Sequence, residues 1–349
     1  MNRKAFRCIT ALLAVVILSG CSSGEPAVVT FTPAISTTSR TEPEAAQSAE
    51  IPAETTAAAT APEKLPEITE ATTTAPVYKN TIEILGPNMI YVGESFDYGY
   101  EISHKNADRA NILWQAEGSG GEFEKGKLTA LEKGEITLKI TDISSGLTNS
   151  LTVHLVNDPT EVDFVPEVNG IPIVNKTYPA PADYSPGGLL PEAMDAFMEL
   201  KEAAALKDLN IVFQSGFRSY EEQKKVYEGW IEEYAEEADR ISARPGYSEH
   251  QLGLAIDVNS IYFDFAETPE GIWLAENCWK FGFILRYPSF ESESITGYMY
   301  EPWHIRYLGQ ELAEKVYLSG LTLEEYLGID SRYRIEKYEP EEEEEVNIE

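Results

Sequence analysis

Ser248-Glu249-His250-Gln251-Leu252-Gly253-Leu254-Ala255-Ile256-Asp257 is the stretch on which the reading turns, together with Glu301-Pro302-Trp303-His304 further along. Residues 252–258 have the composition of a buried strand, so Asp257 sets a carboxylate inside an apolar pattern, where an unpaired charge is costly. Ala255 and Asp257 share one strand face, and Gly253 leaves room on it. A cation is a good partner for such a carboxylate. His250 precedes the strand and can fold back over its start, and His304 is the other histidine of this region. Two His and one carboxylate suit Zn²⁺ and leave one coordination position open, which marks a catalytic site rather than a structural one. Taken singly, Asp257 reads as a turn cap and each His as a hydrogen-bonded core residue. The two motifs together, with a spare carboxylate nearby, favour the metal.

That spare carboxylate is Glu301. Metal-activated water still needs a base for its proton, and a carboxylate not bound to the metal fills the role. On a plain strand, Glu301 and His304 would face opposite ways, and Pro302 forbids an undistorted helix interior. A turn or bulge at Pro302 is therefore required; otherwise Glu301 is a solvated loop acid. Arg218 lies in Gln214-Ser215-Gly216-Phe217-Arg218-Ser219, between an apolar strand and a helix start. A guanidinium there can stabilise an oxyanion, or it pairs with one of the many acids around it.

Around these motifs, residues 191–207 carry apolar side chains at helical spacing, and 210–214 read as a short strand. Ser219-Tyr220-Glu221-Glu222 and Thr322-Leu323-Glu324-Glu325 are capping-box signatures. Residues 269–281 and 308–318 read as further helices. Helices and strands alternate without strict βαβ order, so residues 160–330 are assigned to the α+β class. Residues 79–157 differ: Glu135-Ile136-Thr137-Leu138-Lys139-Ile140 and Ser150-Leu151-Thr152-Val153-His154-Leu155-Val156 alternate with period two between turn signals, as in a small all-β sandwich. His104 and His154 lack metal-ligand spacing and read as surface residues.

The chain begins Met1-Asn2-Arg3-Lys4 and continues with an apolar run over residues 9–18, shorter than the ~20 residues of a spanning helix. Residues 1–21 read as a secretory signal. Leu18-Ser19-Gly20-Cys21 resembles a bacterial lipobox, which implies cleavage before Cys21, its lipidation, and an extracytoplasmic chain tethered to the membrane by lipid. Residues 22–78, rich in Ala, Thr, Pro, Glu and Ser, read as a disordered stalk. Residues 331–349 end in a block of glutamates and read as an acidic disordered tail. A net charge of −32 disfavours nucleic acid as a partner. Of the three cysteines, Cys8, Cys21 and Cys278, the last reads as a buried thiol.

Two resemblances add to this. Tyr91-Val92-Gly93-Glu94, Trp114 and Gly126-Lys127-Leu128-Thr129-Ala130 resemble bacterial immunoglobulin-like domains of group 2, with Trp114 as the buried core Trp. Ser215-Gly216-Phe217-Arg218-Ser219, residues 248–257 and Glu301-Pro302-Trp303-His304-Ile305-Arg306-Tyr307-Leu308-Gly309 resemble VanY-type D-alanyl-D-alanine carboxypeptidases, a zinc superfamily that includes L,D-carboxypeptidases. The second resemblance implies one Zn²⁺ on His250, Asp257 and His304, Glu301 as general base and acid, and Arg218 on the substrate carbonyl. It further implies Gln223 at the substrate's terminal carboxylate, Ser248 as a substrate hydrogen bond and Tyr287 closing the pocket. Phe217 departs from the Tyr more usual in the arginine motif. The implied substrate is a peptidoglycan stem peptide. L,D-carboxypeptidase, dipeptidase or endopeptidase cuts by the same chemistry are the first alternative, and a non-catalytic wall-binding lipoprotein is the second.

Overall fold

The computed structural model describes residues 79–335 and Tyr338. The signal segment, Cys21, the stalk and the glutamate block lie outside the described residues.

Alternation builds the first part. Ile136, Leu138 and Ile140 point inward from the strand Gly134–Asp142 and pack with Ile82, Leu128, Val153 and Leu155. This strand lies in a four-stranded sheet ordered Met89–Tyr91, Thr148–Val156, Gly134–Asp142, Ile112–Gly118. The first pair is parallel and the others antiparallel. A three-stranded sheet holds Ser95–Asp97, Lys127–Ala130 and Gly121–Glu124. Trp114 is half-buried rather than central, because Ile112–Gly118 is an edge strand; its ring packs 5.6 Å from Phe123. His104 is not at the surface either. It is buried with Nε2 3.2 Å from Asp142 Oδ2, since the buried Asp142 carboxylate needs partners.

Besides the separate cores on either side, one apolar cluster bridges the boundary expected near residue 157. Met89, Tyr91 and Val156 of the β part share one apolar cluster with Val168, Ile173, Ile284, Val316 and Leu327. The Tyr91 hydroxyl donates to the Thr177 carbonyl, and Arg334 pairs with Glu94 at 2.9 Å. Part of the predicted tail is ordered into this junction. Tyr333 Oη accepts from the Arg244 backbone N–H at 3.0 Å, and Tyr338 Oη donates to Glu228 at 3.0 Å. The expectation of a charged, solvated tail concerns the glutamate block outside the described residues, whereas Tyr333, Arg334 and Tyr338 find partners in the folded part. Met89→Ala should therefore cost about 2–5 kcal/mol and shift one cooperative urea transition of the whole described unit. A variant that melts the β part alone, with the remaining transition unmoved, would contradict a shared core.

The second part is built on a four-stranded antiparallel sheet ordered Phe213–Ser215, Ala255–Val258, Glu301–Tyr307, Phe283–Tyr287. Ile256, Val258, Ile305 and Phe283 bury one face against Phe197 and Leu200 of the helix Pro191–Ala205 and Leu274 of Pro269–Asn277. Both capping boxes form as predicted, opening the helices Tyr220–Tyr234 and Leu323–Leu327. Because strand side chains alternate, burying Ile256 and Ile305 on one face turns Asp257 and His304 to the other.

Candidate metal centre

Asp257 and His304 are directly paired across neighbouring strands. His304 Nδ1 lies 3.0 Å from Asp257 Oδ1. His250 arrives from a short 3₁₀ turn, Glu249–Leu252, whose first donor is capped by the Ser248 hydroxyl: His250 N–H donates to Ser248 Oγ at 3.3 Å. The turn closes at Gly253 with φ +69°, where a Cβ would sit 2.5 Å from the Gly188 carbonyl oxygen. Only glycine fits that return onto the strand. The turn sets His250 Nε2 3.2 Å from Asp257 Oδ2. One nitrogen or oxygen from each of the three side chains lies within 4.8 Å of the others.

These atoms fit a cation. His250 Nδ1 lies 2.6 Å from the Gly216 carbonyl oxygen, an acceptor that assigns the ring proton to Nδ1. Nε2 then turns its lone pair toward a carboxylate, an arrangement that a cation between them satisfies. Burial lowers the His250 pKa, which keeps this imidazole neutral. For Asp257, burial acts against the charge, but His250 and His304 hold its carboxyl well below the usual range. For His304, burial also opposes the charge, yet the Asp257 carboxylate at 3.0 Å and the nearby Glu249 and Glu301 carboxylates raise its pKa to about 10. In the metal-free chain at pH 7, His304 thus holds a proton that a metal ion must displace. Zinc uptake at pH 7 should release on the order of one proton, measurable by calorimetry in buffers of different ionisation enthalpy. Affinity should then rise with pH up to about 10; uptake with no proton release would count against these assignments.

Glu301 is brought in by the distortion required at Pro302. The strand register between Leu285↔Ile305 and Tyr287↔Glu301 is irregular, with more residues on the Glu301 strand than on its neighbour. Its Oε2 lies 3.7 Å from His304 Nδ1, and burial raises its pKa to about 8. Arg218 also faces the centre. Burial lowers its guanidinium pKa, and the charges of Asp257 and Glu301 oppose that shift.

Gln223 stands behind Arg218. Its Oε1 accepts from Arg218 Nη1 at 2.8 Å, and its amide donates to the Ala243 carbonyl at 2.6 Å and to Ser242 Oγ at 3.2 Å. Its polar atoms are used within the protein. The Tyr287 ring is buried 5.2 Å from the His304 ring and 5.1 Å from that of Tyr298. Behind the site lies a buried ionic group absent from the sequence reading: Glu249, Arg286, Arg306 and Glu324. Its signal was available, since Arg286 and Arg306 are charges inside two buried strand patterns. Cys278 is buried, as expected, and burial pushes its thiol up to about 12.

Comparison with known proteins places this geometry. The VanY family, described as D-alanyl-D-alanine carboxypeptidase, matches residues 188–310. The putative carboxypeptidase YodJ of Bacillus subtilis is 34% identical over 241 residues, covering 60% of this chain and 88% of that protein. The chain belongs to the VanY family. The bifunctional D-Ala-D-Ala dipeptidase and carboxypeptidase VanXYC of Enterococcus gallinarum is 32% identical over 46% of this chain and 94% of its own length. A VanY D,D-pentapeptidase from a VanB-type resistance cassette, solved with Zn(II), is 37% identical over 44% of this chain and 97% of its own, with a TM-score of 0.40. This VanY-family chain is a zinc metallopeptidase, and its segment 188–310 contains the eight metal, catalytic and substrate residues expected from the sequence.

Proposed function

We propose that the protein removes the terminal D-alanine from D-alanyl-D-alanine-ended peptidoglycan stem peptides. The observation that carries this is the convergence of His250, Asp257 and His304 beside Glu301 and Arg218. His250, Asp257 and His304 would hold the zinc. The chemistry zinc supplies in such a site is Lewis-acid activation of water and of the scissile carbonyl. Glu301 takes the proton from the attacking water and delivers it to the leaving amine nitrogen. Arg218, held by Gln223, presents its guanidinium to the developing oxyanion. Ser248 keeps a hydroxyl at the rim of the His250 turn for the substrate, and Tyr287 walls the pocket beside His304. Gln223 serves the substrate through Arg218.

The site would work outside the cytoplasm, tethered by lipid on Cys21. The stalk over residues 22–78 would provide reach, and an immunoglobulin-like β part would hold the peptidase at its end. The apolar core between the β sheets supports that last assignment. A Cys21→Ser variant should move the protein from the membrane fraction to the medium; retention in the membrane would sink the anchor.

The function is tested by measuring zinc content and D-alanine release on the purified chain. One zinc per chain with chelator-sensitive D-alanine release from a pentapeptide stem is the expected result. Release from tetrapeptide alone would replace this reading with L,D-carboxypeptidase activity. Folded protein without zinc or release would favour wall binding without catalysis.

A further inference from the structure

Glu249 has no part in the reaction proposed above, yet it is placed against one of the metal ligands. Its carboxylate is completely buried. Oε1 accepts from Arg286 Nε and from Arg306 Nη1, both at 2.8 Å. Oε2 makes no hydrogen bond within the described residues, and neither does His304 Nε2. These two buried atoms lie 3.5 Å apart. A buried donor and a buried acceptor left unmade are each costly, and here each is the other's nearest remedy.

We propose that Glu249 is a positioning residue that takes the Nε2–H of His304 and so leaves Nδ1 unprotonated toward the metal. This rests on the zinc reading given above. His304 Nδ1 is the nitrogen that faces Asp257, at 3.0 Å, on the side where the metal would sit, so with zinc bound the remaining ring proton belongs on Nε2. The direction of Oε2 is fixed because two guanidiniums hold Oε1. Glu249 immediately precedes the ligand His250, and one of its two holders, Arg306, lies two residues beyond the ligand His304. Arg286 is shared with Glu324, which accepts from its Nη1 at 2.8 Å and from Asn175 Nδ2 at 3.1 Å. Two carboxylates thus balance two guanidiniums, and the charge of Glu249 stays available to the imidazole. A carboxylate on the far nitrogen of a ligating His fixes its tautomer and orientation and raises its basicity.

The test compares zinc affinity, by competition with a chromophoric chelator, in wild type, Glu249→Gln and Glu324→Gln. Glu249→Gln should bind zinc about 10–100-fold more weakly. Glu324→Gln disturbs the same ionic group without facing His304, and should stay within about threefold of wild type while melting earlier. Equal weakening in both variants would reduce Glu249 to scaffold and overturn the proposal. So would an unchanged Glu249→Gln affinity alongside zinc-binding wild type. Wild type that binds no zinc would instead remove the functional reading itself. Imidazole ¹⁵N spectra of zinc-loaded wild type decide the matter even if the variants fail to fold. A His304 Nε2–H is expected, and an Nδ1–H tautomer would overturn it.

Discussion

Replacing Glu301 by glutamine should lower kcat for D-alanine release from a pentapeptide stem by about 10²–10⁴-fold, the range a positioned general base contributes. One zinc should remain bound per chain, and KM should change little. Glutamine keeps the shape of the side chain at the Pro302 irregularity but cannot exchange a proton. Burial has raised the Glu301 carboxyl to about 8 in the metal-free chain, and a bound cation favours the carboxylate and lowers that pKa. A pKa near the working pH is what a group needs to take a proton and return it. Full activity in the variant, with zinc retained, would reject Glu301 as the base. The same shift makes a stability claim about the metal-free protein. The folded pKa lies above the unfolded value of 4.5, so the contribution of Glu301 is fully present below 4.5 and is lost as pH rises through about 8. Metal-free Glu301→Gln should therefore gain on wild type in urea midpoint between pH 5 and pH 9. A constant difference across that range would deny the raised pKa.

Arg286→Met should destabilise the protein by about 3–5 kcal/mol, the usual result of breaking a buried ion pair from one side. The Arg286 side chain is completely buried between Glu249 and Glu324, and methionine replaces its length but none of its donors. Glu249 keeps Arg306, whereas Glu324 keeps only the Asn175 amide among its described partners. Without Arg286 the Glu249 carboxylate loses one of the two guanidiniums that hold its pKa below the usual range, so its folded pKa rises. The deficit should then shrink as pH falls from 7.5 to 5, read as converging urea midpoints. Adding Glu324→Gln to Arg286→Met should recover part of the loss. A single-variant cost below about 1 kcal/mol would mean that water already reaches the group.

Local pattern carried much of this molecule openly. Period-two alternation marked the inward residues Ile136, Leu138 and Ile140, and Ser219–Glu222 and Thr322–Glu325 announced two helix starts. A carboxylate in an apolar strand, with a histidine before it and another in a later polar motif, named the three residues that now lie within 4.8 Å. These signals are short-range: each depends on residues that are neighbours along the chain.

Residue type and local spacing thus supply an inventory of chemistry: which residues can hold zinc, which acid is spare, and which strands and helices present them. The tertiary structure alone decided how these meet. Asp257 and His304 are 47 residues apart and face one another only through strand pairing. Glu301 reaches their side only because the strand register slips beside Pro302. Gln223 stands behind Arg218, and Met89 belongs to a core shared by both parts of the chain, by contacts that no local pattern encodes. Glu249 shows the division most clearly, since its neighbour His250 was legible from residue type and spacing. Its own place, against His304 and two arginines from other strands, exists only once long-range packing has excluded water and left each buried charge to find a partner.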